Sequence, residues 1–461
     1  MKIVRNIWLL LAVLLASVSF VACEDDEDTS GSTPIAVSKI YLEDAESTVI
    51  DREVSFARTG QVLRIEGSGF TGMRRVYING YSTYFNPVYV SDNSMLLQVS
   101  GDTPISEADE TVRNIIHFVK TGTELKYHFI IRAASPSITS ISHTLPLAGE
   151  QITIYGEGLH EATKVVFPGN VEVTEGITSD DVDGEFVTVT VPAGLTESGS
   201  IFVEGANGGA YSPAYFNCKS GVLLDFDGIG TQGSWSWTET GSMMNASDLE
   251  SAAIGTGNVS QGNYCAHRPA RFATLAQGKN RLTEVWTAGN DVDDWRGQLT
   301  GAIPATTPVS EVAFQFDVYV PQEWANTGFL KLCLYNSFNG GEWAGNTYNY
   351  VPWIENKAVV PFSTKGWVTV TIPLNKFYAF ASTDQVYTFE DVLVYREGAS
   401  WQNFGFFFEN SDFKLSDITK NDADETEFVS SATSVKVYTD NWRVVSLVKP
   451  EYSDFPVTSN E

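Results

Sequence analysis

Leu63-Arg64-Ile65-Glu66-Gly67-Ser68-Gly69-Phe70 returns without a gap as Ile152-Thr153-Ile154-Tyr155-Gly156-Glu157-Gly158-Leu159, 89 positions on. In each copy apolar and polar residues alternate before a Gly-x-Gly turn, the period of a half-buried strand. The match extends outward. Gly60 and Val76 recur as Gly149 and Val165, Arg75-Val76-Tyr77-Ile78 corresponds to Lys164-Val165-Val166-Phe167, and Asn79-Gly80 and Pro168-Gly169 then mark turns. Strand, glycine turn, strand and hairpin turn in a repeat of about 90 residues predict two tandem immunoglobulin-like sandwiches. They span residues 36–133 and 134–219. The short joints at Ala133-Ala134-Ser135 and Lys219-Ser220 predict limited hinging.

Beyond residue 220 the composition changes. Neither repeat contains Trp, whereas ten of the eleven Trp residues lie between 235 and 442. Val312 to Val320, Phe329 to Tyr335 and Trp367 to Ile372 alternate as strands, and further strands are predicted at Phe404 to Phe408 and Val435 to Tyr438. Many short strands with Gly-rich turns predict one large β-sandwich or jelly roll over 220–461. The chain is therefore expected to be all-β.

At the N-terminus, Lys2 and Arg5 precede an apolar run, Ile7 to Ala16, and small residues leading to Cys23, the layout of a secretory signal. The run is too short for a spanning helix. Phe20-Val21-Ala22-Cys23 resembles a bacterial lipobox with Phe20 in the usual Leu position, which makes residues 1–23 a lipoprotein signal and Cys23 a lipidated terminus held by outer-membrane lipid. The alternative is an ordinary cleaved signal. Glu24-Asp25-Asp26-Glu27-Asp28 cannot bury apolar surface, so 24–35 reads as a disordered acidic tether. It resembles the acidic stretch of surface-exposed lipoproteins in Gram-negative bacteria with Sus-type glycan uptake. With 57 acidic and 29 basic residues and a net charge of −28, nucleic-acid partners are excluded.

Catalytic signatures are sparse. His267 is the one His after residue 160, and neither GxSxG nor HExxH occurs. Gly228-Ile229-Gly230-Thr231-Gln232-Gly233 matches a dinucleotide fingerprint, yet Ser234-Trp235-Ser236-Trp237 follows where a helix should open, leaving a Gly-rich turn. Glu284, Asp291, Asp294, Glu342 and Glu355 lie near aromatics, but no motif ties them to glycoside hydrolysis, and the chain is read as non-catalytic. Cys218, Cys265 and Cys333 are spaced as buried thiols. Asp225, Asp227 and Asp440 either meet to hold a structural Ca²⁺ or serve as solvated turn carboxylates; no other cofactor or metal is implied.

Aromatics suit sugar binding: an exposed ring covers the C–H face of a pyranose while polar side chains pair with its hydroxyl rim. Trp324, Trp367 and Trp442 border strands and read as core. Trp295 and Trp343 sit in polar, Gly-rich stretches, with Tyr350 and Trp353 following Trp343 closely. These four, with Trp286 and Trp401, are the candidate glycan-binding residues.

Pro136-Ser137-Ile138-Thr139-Ser140-Ile141 and Ile152 to Leu159 make the second repeat resemble an IPT/TIG domain, of which the first is a divergent version. Gly366-Trp367-Val368-Thr369-Val370-Thr371-Ile372-Pro373-Leu374 and Tyr438-Thr439-Asp440-Asn441-Trp442-Arg443-Val444-Val445 resemble the domain first described for xyloglucan binding. The whole order resembles the surface glycan-binding proteins of Sus-like polysaccharide utilisation loci. That resemblance implies an outer-membrane, cell-surface lipoprotein that captures a polysaccharide such as xyloglucan, glucan or mannan. It also implies a SusD-like protein, a TonB-dependent transporter and a surface endo-glycanase as partners. The competing reading is a structural or adhesive lipoprotein whose immunoglobulin-like repeats bind protein.

Overall fold

The computed structural model describes residues 33–455 apart from 46, 48, 231–243, 245, 252–261, 268–280, 288–292, 336–346, 383, 419–424 and 433–434. The fold is all-β. It divides into two compact units, one ending at Ser135 and including residues 206–208, the other holding the rest of the chain.

In the first unit, Ala36–Glu43, Val62–Ser68 and Ser94–Gln98 lie side by side and antiparallel, facing a sheet of Tyr81–Thr83, Arg75–Ile78, Ile115–Lys120 and Thr123–His128. Leu63 and Ile65 are fully buried while Arg64 between them reaches Glu43 and Asp51 at the surface. The repeated glycines have one cause in both copies. A Cβ at Gly67 would meet the Ala36 carbonyl at 1.8 Å, and one at Gly156 would meet the Ser137 carbonyl at 1.9 Å. In each case the partner strand bulges one residue further on, at Val37/Lys39 and Ile138/Ser140. The second glycine of each pair, Gly69 or Gly158, has a positive φ.

The second unit contains two sandwiches. The smaller repeats the first unit's plan, with Ser137–Ile141, Gln151–Glu157 and Phe186–Thr190 in one sheet and Lys164–Phe167 paired with Val171–Val173 and Phe202–Gly205 in the other. The larger packs a sheet of Tyr264–His267, Val437–Ser446, Val312–Tyr319 and Val368–Pro373 against a second of Arg281–Trp286, Gly405–Glu409, Phe329–Cys333 and Thr347–Tyr350. Trp442 is clamped between Phe406, 3.8 Å away, and Phe316, 4.4 Å away, at the centre of the core. Cys218, Cys265 and Cys333 are buried and free.

Alternation in Val312–Tyr319 predicts one wet face, but every residue of this strand is buried. The smaller sandwich covers its outward face. Ala313 and Val445 join the apolar core built on Ile138, Ile152 and Val187, and the polar residues form a buried network. Asp317 Oδ1 accepts from Arg443 Nη2 at 2.7 Å and Thr369 Oγ1 at 2.7 Å, and its Oδ2 from Asn441 Nδ2 at 3.0 Å. His143 Nε2 lies 3.6 Å from Asp317 Oδ2, and its Nδ1 3.3 Å from Glu150 Oε2. Arg443 also donates to Thr144 Oγ1 at 2.8 Å and Gln315 Oε1 at 3.0 Å. Burial would lower the His143 pKa, but the Asp317 and Glu150 carboxylates outweigh it and hold the imidazole up at about 9. Burial opposes ionisation of Asp317, whereas Arg443 and His143 hold its carboxyl well below the usual range. The limited hinging expected at Lys219-Ser220 is thus a fused interface.

Of the two readings of Asp225, Asp227 and Asp440, the first two residues fit that of turn carboxylates. Asp225 Oδ1 accepts from the backbone N–H groups of Asp227, Gly228 and Ile229, Asp227 accepts from Asn263, and Asp440 is buried inside its strand. Among the described residues no three His, Cys, Asp or Glu gather to hold a metal ion, and no helix is long and apolar enough to cross a membrane.

Candidate functional site

The sheet of Arg281–Trp286, Gly405–Glu409, Phe329–Cys333 and Thr347–Tyr350 has two unlike faces. Val285, Leu330, Leu332, Phe406 and Phe408 point into the core, while Trp286, Cys333 and Phe407 form a separate apolar patch on the other face. Polar groups lie among them: Trp286 Nε1 donates to Glu284 Oε1 at 2.7 Å, and Lys331 Nζ meets Glu409 Oε2 at 2.8 Å, 6.0 Å from the Phe407 ring centre. A Cβ at Gly405 would strike the Trp286 ring at 2.2 Å, so the strand must carry glycine where the indole crosses it.

Register gathers the loops. Trp286 pairs with Gly405, Gly405 with Cys333, and Cys333 with Thr347, a row across one end of the sheet. The connections leaving that end are residues 287–294, 334–346 and 398–404. They carry the sequence that suggested a site, and Trp401 among them is 43% exposed.

One carboxylate fastens these loops at their base. Asp293, buried, accepts from Thr287 Oγ1 at 2.7 Å, from the Phe404 N–H at 2.6 Å and from Trp295 Nε1 at 2.7 Å, and pairs with Arg396 Nη2 at 3.0 Å. Arg396, from the helix Phe389–Glu397, also donates to the carbonyls of Asp293 and Leu334. Its guanidinium lies 3.8 Å over the Trp295 ring, a cation–π contact removed from water. Asn403 donates to the Thr287 carbonyl. Thr287, Asp293, Leu334 and Phe404, at the feet of the three loops, are thereby tied together.

This geometry revises the list of stacking residues. Trp295, expected in an open loop, is 1% exposed, because Asp294 caps the short helix Trp295–Leu299 through the Gly297 N–H and turns the indole inward beneath Arg396. Trp353 is fully buried, its Nε1 donating to Gly328 O at 2.9 Å and its ring against Phe413 and Phe428. Trp286 is buried over Gly405. Tyr350 is half-buried against Phe316 and Trp324, and burial pushes its phenol upward. None of these four offers an open ring face for a sugar. Trp401 is partly exposed, and Trp343 lies outside the described residues.

The acids listed beside the aromatics divide similarly. Glu284 is engaged by Trp286, Asp294 caps a helix, and Glu355 is exposed on the hairpin Ile354–Glu355/Ala358–Val359. Asp291 and Glu342 lie outside the described residues. His267 is fully buried, 3.1 Å from Thr439 Oγ1, and burial holds its imidazole down at about 3, so it is a neutral core residue. The Asp293–Arg396 cluster escaped sequence reading, because its partners are a hundred residues apart and carry no motif.

Residues 216–446, half of the chain, match the family described as surface glycan-binding protein B xyloglucan binding domain. The chain belongs to the surface glycan-binding protein B family. Its members are carbohydrate-binding surface proteins and not enzymes. Residues 136–217 match the IPT/TIG domain. An IPT/TIG domain-containing protein of Bacteroides ovatus is 24% identical over 210 residues, which cover 43% of this chain and 42% of that protein, so the match spans less than half of its length. The crystal structure of a surface glycan-binding protein B from Prevotella bryantii is similar in fold with a TM-score of 0.59 at 18% identity, over 90% of this chain and all of that one. A family member from a complex xyloglucan utilization locus in Bacteroides uniformis aligns over 89% of this chain and 99% of its own, at 18% identity and a TM-score of 0.45.

Proposed function

We propose that this chain is a non-catalytic lipoprotein of the outer cell surface that captures a β-linked polysaccharide, such as xyloglucan, a glucan or a mannan, for a Sus-like uptake system. The family match over 216–446 carries the reading. The loop end of the Trp286–Gly405–Cys333–Thr347 row supports a site there, since it sets the exposed Trp401 indole beside loops fixed at their base. A ring so placed stacks on a pyranose while loop amides and carboxylates take the hydroxyls. Trp343, on the 334–346 connection, is the second proposed stacking residue. Cys23 supplies the lipid anchor, and a SusD-like protein, a TonB-dependent transporter and a surface endo-glycanase are the proposed partners.

Affinity electrophoresis of the full chain through gels holding single polysaccharides tests this. Retardation by one β-linked polymer is expected, weakened in Trp401→Ala and Trp343→Ala, with unchanged thermal unfolding of Trp401→Ala because its side chain contributes little to the core. Unaltered mobility in every polymer, or retardation indifferent to both substitutions, rejects the reading.

A further inference from the structure

The first unit carries a cleft that its role as an immunoglobulin-like support does not require. Tyr81–Thr83 is the edge strand of one sheet and Ser94–Gln98 the edge strand of the other, so this side of the sandwich is open. The chain crosses between them through a single helical turn, Pro87–Tyr89, capped by Asn86, whose Oδ1 accepts from the Val88 N–H at 3.1 Å. The cavity so formed is about 410 Å³, lined by Tyr81, Tyr84, Phe85, Tyr89, Asn86 and Gln98 among others. Its size falls in the range of ligand clefts, about 300–1,000 Å³.

Two observations separate this cleft from ordinary surface. Tyr84 is 80% exposed and Tyr89 58%, with Val88 beside them 82% exposed, a concentration of open apolar surface that a solitary support would avoid. The second copy of the fold, moreover, makes the corresponding crossing from Val171–Val173 to Phe186–Thr190 with no aromatic residue among positions 174–185 between them. The scaffold therefore does not need these rings.

We propose that the cleft is a second carbohydrate site, taking a short stretch of the same β-linked polysaccharide. Rings supply the stacking faces, and side-chain amides and hydroxyls supply the rim: Gln98 has its Nε2 engaged by Gly60 O, which leaves the carbonyl oxygen to accept, and Tyr81 reaches Asp102 at 3.4 Å. Addition of a peptide strand to the edge suits the site less well, because Tyr81–Thr83 is three residues long and Pro87 lacks an N–H. The inference rests on the chain being a glycan binder, and it makes the protein bivalent toward one polymer, so that avidity exceeds the affinity of either site.

Hydrogen exchange of the full chain, read by peptide with and without xylogluco-oligosaccharides and mixed-linkage glucan oligosaccharides, tests each site separately. Protection is expected over residues 81–98 as well as in the larger sandwich. In Tyr84→Ala/Tyr89→Ala the first is lost and the second kept, with exchange of Val62–Ser68 unaltered as the sign of an intact fold. Protection of the larger sandwich alone overturns the inference and leaves the cleft to a protein partner. Protection of 81–98 alone upholds it while refuting the assignment of the loop end, and protection of neither refutes both for these polymers.

Discussion

His143 should make the second unit's stability fall as the solution becomes alkaline. The imidazole lies between Asp317 and Glu150 with its pKa held at about 9, against 6.5 for the ordinary group. A folded-state pKa above the unfolded one contributes stability that is complete below about 6.5 and is lost as pH rises through about 9. At about 1.4 kcal/mol per pH unit the interval amounts to about 3 kcal/mol. Ten of the eleven Trp residues lie in the second unit, the other being Trp8, so Trp fluorescence during urea unfolding follows that unit. The unfolding free energy should drop by about 3 kcal/mol between pH 6 and pH 10 beyond whatever His143→Gln shows over the same range. The substitution keeps a polar side chain but removes the titrating group, so it should cost most at pH 6 and little at pH 10. Parallel pH profiles for the two proteins would refute the charge coupling at this interface.

Other perturbations test the remaining structure. Arg396→Met leaves the Asp293 carboxylate buried without its ion pair and should cost about 3–5 kcal/mol in urea unfolding, with exchange quickened at the feet of the three loops. Gly405→Ala forces its Cβ into the Trp286 ring and should lower the melting temperature by several degrees in calorimetry; a neutral result would mean that the indole shifts aside. Trp442→Leu empties the slot between Phe406 and Phe316, and chemical unfolding should show a loss of about 3 kcal/mol or more. Asp317→Asn removes the anion facing Arg443 and His143, and the alkaline fall in stability assigned to His143 should shrink with it when the same titration is repeated.

Much of the fold was legible because local rules and tertiary demands agree. Gly67 and Gly156 announce the repeat since a neighbouring carbonyl leaves no room for any other residue, and that constraint sits within a few residues of a readable strand. The break in Trp usage marks where the large aromatic core begins. The candidate site was less legible. Asp293-Asp294-Trp295 reads as a polar loop, yet one aspartate is a buried ion-pair partner and the other a helix cap, and the Arg396 that decides this lies about a hundred residues away. Trp353 misled similarly: the Gly328 carbonyl that takes its N–H belongs to a different strand's approach. Exposure of an indole is settled by such distant partners, and a window of neighbouring residues does not contain them. The burial of the outward face of Val312–Tyr319 was not legible for the same reason, because what covers it is another sandwich.

Asp293 has a consequence for how this scaffold can change. A loop that is tied only at its ends can be lengthened, shortened or given new side chains in its middle at little conformational cost, provided the knot itself is kept. Thr287, Phe404 and, through Arg396, Leu334 are all knotted to that one acid, so three spans share a single fixed footing. Such a footing lets the spans be edited one by one while the sandwich beneath is inherited unaltered.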